Sequence, residues 1–133
     1  MKYELHQCIA SRLRRLSRIT DGYLRQVLAT FNITENQLNI LFALYKTGKI
    51  EQGLIGKKLV LGRSTVSRGV RLLENQHYIA RTSAYRPEIE LTDKGKALVQ
   101  QIIPVWEDFM AKIHHKIGQE GFEQIEALEK KFS

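Results

Sequence analysis

The chain has 133 residues, enough for one domain with a core of its own. Hydrophobic residues make up 43% and charged residues 26%, which excludes global disorder, and a single cysteine, Cys8, excludes an internal disulfide or a cysteine-cluster metal site. No apolar run reaches the roughly 18 residues that span a bilayer. The start, Met1-Lys2-Tyr3-Glu4-Leu5-His6, is polar, unlike a secretory leader, so the expected location is the cytoplasm. The net charge of +7 points first to nucleic acid and second to an anionic membrane surface. That charge is uneven: residues 1–33 and 34–91 carry +4 each, and residues 92–133 carry −1.

In chain order, Leu5, Ile9, Leu13, Leu16, Ile19, Tyr23, Leu24, Val27 and Leu28 recur at threes and fours. This spacing predicts an amphipathic helix over about 3–30, with Gly22 as a weak spot. Thr34-Glu35-Asn36-Gln37 reads as a capping box, opening a second helix whose stripe is Leu38, Leu41, Phe42, Leu44 and Tyr45 and which stops at Gly48. A short third helix, about 52–60, carries Leu54, Ile55 and Leu59. Gly56 there suits the close crossing of another helix. Leu61-Gly62 is a break. A fourth helix follows from Arg63 to about Gln76, with Val66, Val70, Leu72 and Leu73 as its inner stripe.

Tyr78–Thr82 and Glu88–Leu91 read as two short strands joined by Ser83–Pro87 into a hairpin. Thr92 is placed to cap a long helix whose stripe runs through Leu98, Ile102, Val105, Trp106, Phe109 and Ile113 to about Ile117, with Pro104 expected to kink it. A last helix, about 120–132, carries Phe122, Ile125, Leu128 and Phe132.

Helix, helix, short helix, tight break, helix and hairpin make a winged helix-turn-helix in a mainly α chain, with a two-stranded β wing and long helices at both ends. The outward face of the fourth helix presents Arg63, Ser64, Thr65, Ser67, Arg68 and Arg71, with no acid before Glu74. Arginine bonds a guanine edge through two donors, and serine and threonine reach bases or phosphates, so these are side chains that major-groove readout uses. A solvated surface helix ordinarily mixes charge signs.

These segments resemble the MarR family of bacterial regulators. The resemblance is carried by Leu38–Ala43, by Arg63-Ser64-Thr65-Val66-Ser67-Arg68, by Leu73-Glu74, and by Ile89-Glu90-Leu91-Thr92-Asp93-Lys94-Gly95. It implies one domain over 1–133, with 34–94 as the DNA-binding lobe and 1–33 and 95–133 as dimerisation helices. It further implies a homodimeric transcription regulator, expected to be a repressor. Each protomer would set Arg63–Arg71 in a major groove of a near-palindromic operator. Arg81 and Arg86 complete the expected DNA-contacting set, with Arg86 the candidate for the minor groove. A small aromatic effector fits the family pattern, with Tyr45, Trp106 and Met110 as candidates for its cleft.

Two positions depart from the family. The wing is shorter, with Ser83-Ala84-Tyr85 before Arg86 where an Asp-Arg pair is usual. His77 stands where the family has glycine, so a left-handed backbone there costs about 1–2 kcal/mol unless a local bond offsets it, with Asn75 as the other candidate for that conformation.

Cys8 is read either as a bystander or as a thiol redox sensor. His114-His115 is poorly spaced for one metal ion, since adjacent helical side chains diverge by about 100°. No metal or cofactor site is therefore expected. Arg12, Arg14, Arg15 and Arg18 either add phosphate attraction at the outer edge or pair with Glu123, Glu126 and Glu129. No phosphate loop, metal motif or nucleophile–base arrangement suggests an enzyme. The alternative to DNA binding is a winged-helix protein–protein module, which predicts an apolar or acidic outer face on the fourth helix. A membrane-surface role would want a Lys/Arg-rich amphipathic helix with exposed aromatics; the first helix has the arginines, but its apolar stripe suits partner helices better.

Overall fold

The computed structural model describes residues 1–83 and 85–133. A 3-10 turn at Leu5–Gln7 precedes α1 (Ile9–Ala29), α2 (Glu35–Thr47), β1 (Ile50–Glu51), α3 (Gln52–Leu59), α4 (Arg63–Asn75), β2 (Ile79–Arg81), β3 (Glu88–Leu91) and α5 (Asp93–Phe132). This is the winged helix with long flanking helices that the sequence pattern predicts.

The first helix starts later than its periodicity suggests. Cys8 is extended, at φ −72° and ψ 111°, and separates the 3-10 turn from α1. Gly22 leaves α1 unbroken. α2 opens on the expected capping box. The Gln37 amide donates to Thr34 Oγ1 at 3.2 Å, and the Thr34 amide donates to Gln37 Oε1 at 2.9 Å. Two of the first-turn amides that a helix start leaves unpaired are thereby satisfied. Gly48, at φ +83°, ends α2, a backbone setting that glycine adopts without a Cβ penalty.

Among the described residues the expected two-stranded hairpin, β2 and β3, is joined by a third strand, β1. β3 lies between β1 and β2 and is antiparallel to both, with Ile50 opposite Ile89, and Ile79 opposite Leu91. β1 is two residues long, too short to leave a periodic signal.

One core joins α2, α3, α4, the sheet and the first turns of α5. Its fully enclosed side chains include Leu38, Ile40, Leu41, Leu44, Ile55, Val70, Leu73, Ile89, Val99 and Ile102. Leu72, expected on the inner stripe of α4, is exposed, and the buried small residue Gly69 takes that place. A Cβ at Gly69 would come within 2.8 Å of Ile40 Cδ1, so the glycine sets how closely α4 approaches α2.

The exit from α4 ties the wing to α5. His77, not Asn75, takes the left-handed conformation, at φ +64°. The His77 amide donates to the Glu74 carbonyl at 3.0 Å and the Tyr78 amide to the Leu73 carbonyl at 3.0 Å, which satisfies the last helical carbonyls. The Thr92 hydroxyl donates to the His77 carbonyl at 2.6 Å and accepts from the Gly95 amide at 3.0 Å. These local bonds offset the strain of a non-glycine residue at this turn.

α5 continues through Pro104, where a kink was expected. Its backbone leaves helical angles at Gly118 instead, at φ +68° and ψ 172°, between the two stretches that the apolar pattern separates. Along α1 and the far part of α5 the apolar stripe is open to solvent: Leu13, Leu16, Ile19, Tyr23, Ile117, Ile125 and Leu128 are all exposed. Among the described residues no helix is long and apolar enough to cross a membrane.

Candidate nucleic-acid interface

α3 and α4 meet across the three-residue break Val60-Leu61-Gly62. Val60 ends α3 in the left-handed region, at φ 56° and ψ 47°, and its amide bonds back to the Gly56 carbonyl. The turn is tight because Gly56 lacks a Cβ. One placed there would lie 3.0 Å from the Leu61 carbonyl oxygen and 3.4 Å from Val66 Cγ2. The close crossing expected at Gly56 is therefore with the start of α4.

α4 begins without a side-chain cap at Gly62 and without an acid in its first turn. Its free amides and positive dipole end are therefore not neutralised by the chain itself. Val66, Gly69, Val70 and Leu73 face the core. Outside, Arg63, Ser67 and Arg71 stand four residues apart along one ridge, and Ser64 and Arg68 form the adjoining ridge. All five are exposed. Thr65 is half-buried and stands off these two ridges.

Arg81 and Arg86 are both exposed but differ in setting. Arg81, the last residue of β2, donates from Nε to Glu74 Oε2 at 3.1 Å and to Oε1 at 3.3 Å. That pairing joins the end of α4 to the wing, and it was not anticipated from the sequence because the two residues lie on different elements. At the hairpin end, the Thr82 amide donates to the Glu88 carbonyl at 3.0 Å, and the Glu88 amide to Thr82 Oγ1 at 3.2 Å. Ser83 Oγ donates to the Tyr85 carbonyl at 2.8 Å, and Arg86, at φ +45°, holds its guanidinium 5.6 Å from the Tyr85 ring centre. Ala84, part of the shortened wing, lies outside the described residues.

A cleft of about 1050 Å³ runs between α3, the start of α4 and the wing, and it brings Lys57 beside Arg63, Ser67 and Pro87. Sequence reasoning passed over Lys57. Its only signal was a pair of lysines, Lys57 and Lys58, in the last turn of α3.

The remaining candidates are dispersed. Tyr45, Trp106 and Met110 line neither this cleft nor those beside the N-terminal turn and the α1–α2 junction. Trp106 packs edge-on against Phe42, ring centres 5.1 Å apart at 85°. Cys8 is exposed. His114 lies against the Phe122 ring at 4.9 Å, and among the described residues no group of three or more potential ligands is arranged for a metal.

Among the described residues the ion pairs are Lys49–Glu90, Arg81–Glu74 and Lys112–Asp108. Arg12, Arg14, Arg15 and Arg18 are exposed, and among the described residues of the single chain none of them pairs with Glu123, Glu126 or Glu129. At the α1–α2 junction, burial and then the neighbouring charge of Asp21 push the Glu35 carboxyl above its ordinary range.

The family model described as "MarR family" matches residues 33–84. No curated protein matches the sequence. Among solved structures, the chain is similar to BpsR of Bordetella bronchiseptica, whose DNA binding is regulated by 6-hydroxynicotinic acid. The identity is 20%, the TM-score 0.87, and the coverage 99% of this chain and 98% of that one. It is similar to MepR of S. aureus in a DNA complex, at 27% identity and TM-score 0.80, covering 94% and 96%. It is also similar to the transcriptional repressor CouR bound to p-coumaroyl-CoA, at 18% identity and TM-score 0.86, covering 99% and 96%.

Proposed function

We propose, from the match of residues 33–84 to the MarR family model, that the chain is a homodimeric regulator of the MarR type that binds a near-palindromic duplex and represses transcription. The observation that carries this reading is the outer face of α4. Arg63, Ser67 and Arg71 on one ridge and Ser64 and Arg68 on the next are exposed, while Val66, Gly69, Val70 and Leu73 fix the helix from behind. A helix held this rigidly presents donors at a fixed spacing, which base-edge recognition in a major groove requires. An unneutralised helix start adds attraction for phosphate. The basic, hydroxylated face argues against a winged-helix module for protein contact.

Dimerisation is supported by the open apolar stripes of α1 and distal α5. Leu13, Leu16 and Ile19 alone are 45–50% exposed on α1. A contiguous apolar surface on two long helices favours burial against a second copy. In such a dimer each protomer contributes Arg63–Arg71 to one half-site, with half-sites about one helical turn apart. Residues 1–33 and 95–133 are then the dimerisation parts and 34–94 the DNA-binding lobe. Arg86 serves as the wing contact, and Thr65 plays a lesser part than the five exposed residues. A small aromatic effector that releases the DNA accords with the regulation of BpsR by 6-hydroxynicotinic acid.

Selection of bound sequences from a random duplex pool tests the proposal. A consensus with two-fold symmetry is the expected product. Recovery of no consensus contradicts sequence-specific binding, and an asymmetric consensus contradicts the dimer.

A further inference from the structure

Resting on the DNA-binding reading above, we infer that Glu74 is a positioning residue for DNA contact: it holds Arg81 by one edge of the guanidinium and leaves the other edge for a phosphate.

Glu74 is the first acid on α4. It lies three residues beyond Arg71, one turn further along the outward side of the helix. A bare carboxylate there would repel a polyanion docked on Arg63, Ser67 and Arg71. It is not bare. Both its oxygens accept from Arg81 Nε, at 3.1 and 3.3 Å. The guanidinium is a planar fork with five donors. Of these, only the Nε hydrogen is used among the described residues, so both terminal nitrogens keep their donors. The pair is about one-third exposed on each side, with side-chain values of 38% for Arg81 and 35% for Glu74, so the fork is within reach of an incoming anion.

The geometry also fixes where that edge sits. Glu74 belongs to the penultimate position of α4, whose inner face is locked by Leu73, and Arg81 ends β2 opposite Ile89, both buried partners. The carboxylate therefore braces a long side chain between two rigid elements, cutting the rotamer freedom that a free arginine would lose on binding. Lysine has one ammonium and no second edge, so it cannot serve carboxylate and phosphate in the same way.

The two roles open to Glu74 predict opposite signs. A carboxylate that merely repels DNA or neutralises Arg81 makes Glu74→Ala a tighter binder. A positioning carboxylate makes it a weaker one. The test is fluorescence anisotropy of the duplex recovered by selection, at several salt concentrations, with a melting curve for each variant. Arg81→Ala and Glu74→Ala should each weaken binding about tenfold, the scale of one charge-assisted hydrogen bond. Each should also flatten the salt dependence by about 0.9 in log–log slope, one phosphate's worth of counterions. The double variant should bind no more weakly than Arg81→Ala, and Arg81→Lys should behave like Arg81→Ala. An exposed pair of this kind contributes little to folding, so the melting points should stay close to that of the unaltered protein. Tighter or unchanged binding by Glu74→Ala, losses that multiply in the double variant, or full activity of Arg81→Lys would overturn the positioning role. Failure of the unaltered protein to bind any duplex would instead overturn the reading on which this role rests.

Discussion

Replacing Val60 by glycine should stabilise the protein, although it removes an aliphatic side chain. Val60 sits at φ 56° and ψ 47°, the left-handed region, where an L-residue brings Cβ against its own backbone. The penalty is about 1–2 kcal/mol, and β-branching puts valine toward the upper end. Nothing offsets it through packing, because the side chain is 90% exposed. Glycine removes the penalty but adds freedom to the unfolded chain, worth about 0.5–1 kcal/mol. The net gain is roughly 0.5–1 kcal/mol, or a rise of roughly 2–4 °C in melting temperature for a chain of this size. Val60→Ala keeps the Cβ and relieves only the branching, so it should fall between the two. The assay is thermal unfolding by circular dichroism at one fixed protein concentration, since association contributes to the apparent stability. A Val60→Gly melting point at or below that of the unaltered protein would refute the strain argument and show that the valine makes a contact worth more than its backbone cost.

Gly95→Ala should be destabilising by about 2 kcal/mol or more, because the new Cβ would fall 2.0 Å from the Tyr78 carbonyl oxygen, a backbone atom that the Thr92 amide also holds. Chemical denaturation measures this, and a neutral result would mean the wing root yields freely. Glu35→Gln should raise the melting point at pH 7. Burial and Asp21 lift the carboxyl's folded-state pKa above its unfolded value, so the ionised form opposes folding above the folded pKa and the penalty is relieved as pH falls through it. The gap between variant and unaltered protein should close below the ordinary carboxylate range, whereas a lower melting point at pH 7 would mean that favourable charge at the start of α2 outweighs Asp21. Leu16→Glu places a charge in the open apolar stripe of α1, where Leu16 is 48% exposed in the single chain. Sedimentation should show it as monomer at micromolar concentration, and an unchanged dimer would remove α1 from the interface.

What could be read from the sequence follows from how local each interaction is. The Thr34–Gln37 box and the Thr92 cap involve residues three apart, so their chemistry is written in consecutive positions. The inner face of α4 was legible through Val66, Val70 and Leu73, because burial imposes helical periodicity. Leu72 was misassigned on hydrophobicity alone, while Gly69, which has no side chain to mark it, takes the close contact with Ile40. β1 escaped notice because two residues carry no period and pair with β3 nearly forty positions away. Val60 was hidden by its own propensity, since a valine gives no hint of a left-handed turn. The Glu74–Arg81 contact bridges two elements, and only their packing reveals it. For the candidate interface, the five exposed residues on α4 were legible because Val66, Val70 and Leu73 mark the opposite face. Lys57 joins them only when α3 folds against the start of α4.

The central claim is that the outer face of α4 reads base sequence. Affinities of Arg68→Ala for the selected duplex, for each of its single-base variants and for random DNA test it most directly. The account predicts a loss of about 1–3 kcal/mol on the selected duplex, relaxed preference at one base position in each half-site, and a much smaller loss on random DNA. Equal losses on every duplex would make Arg68 a phosphate contact, and no loss on any would contradict the placement of α4 in the groove.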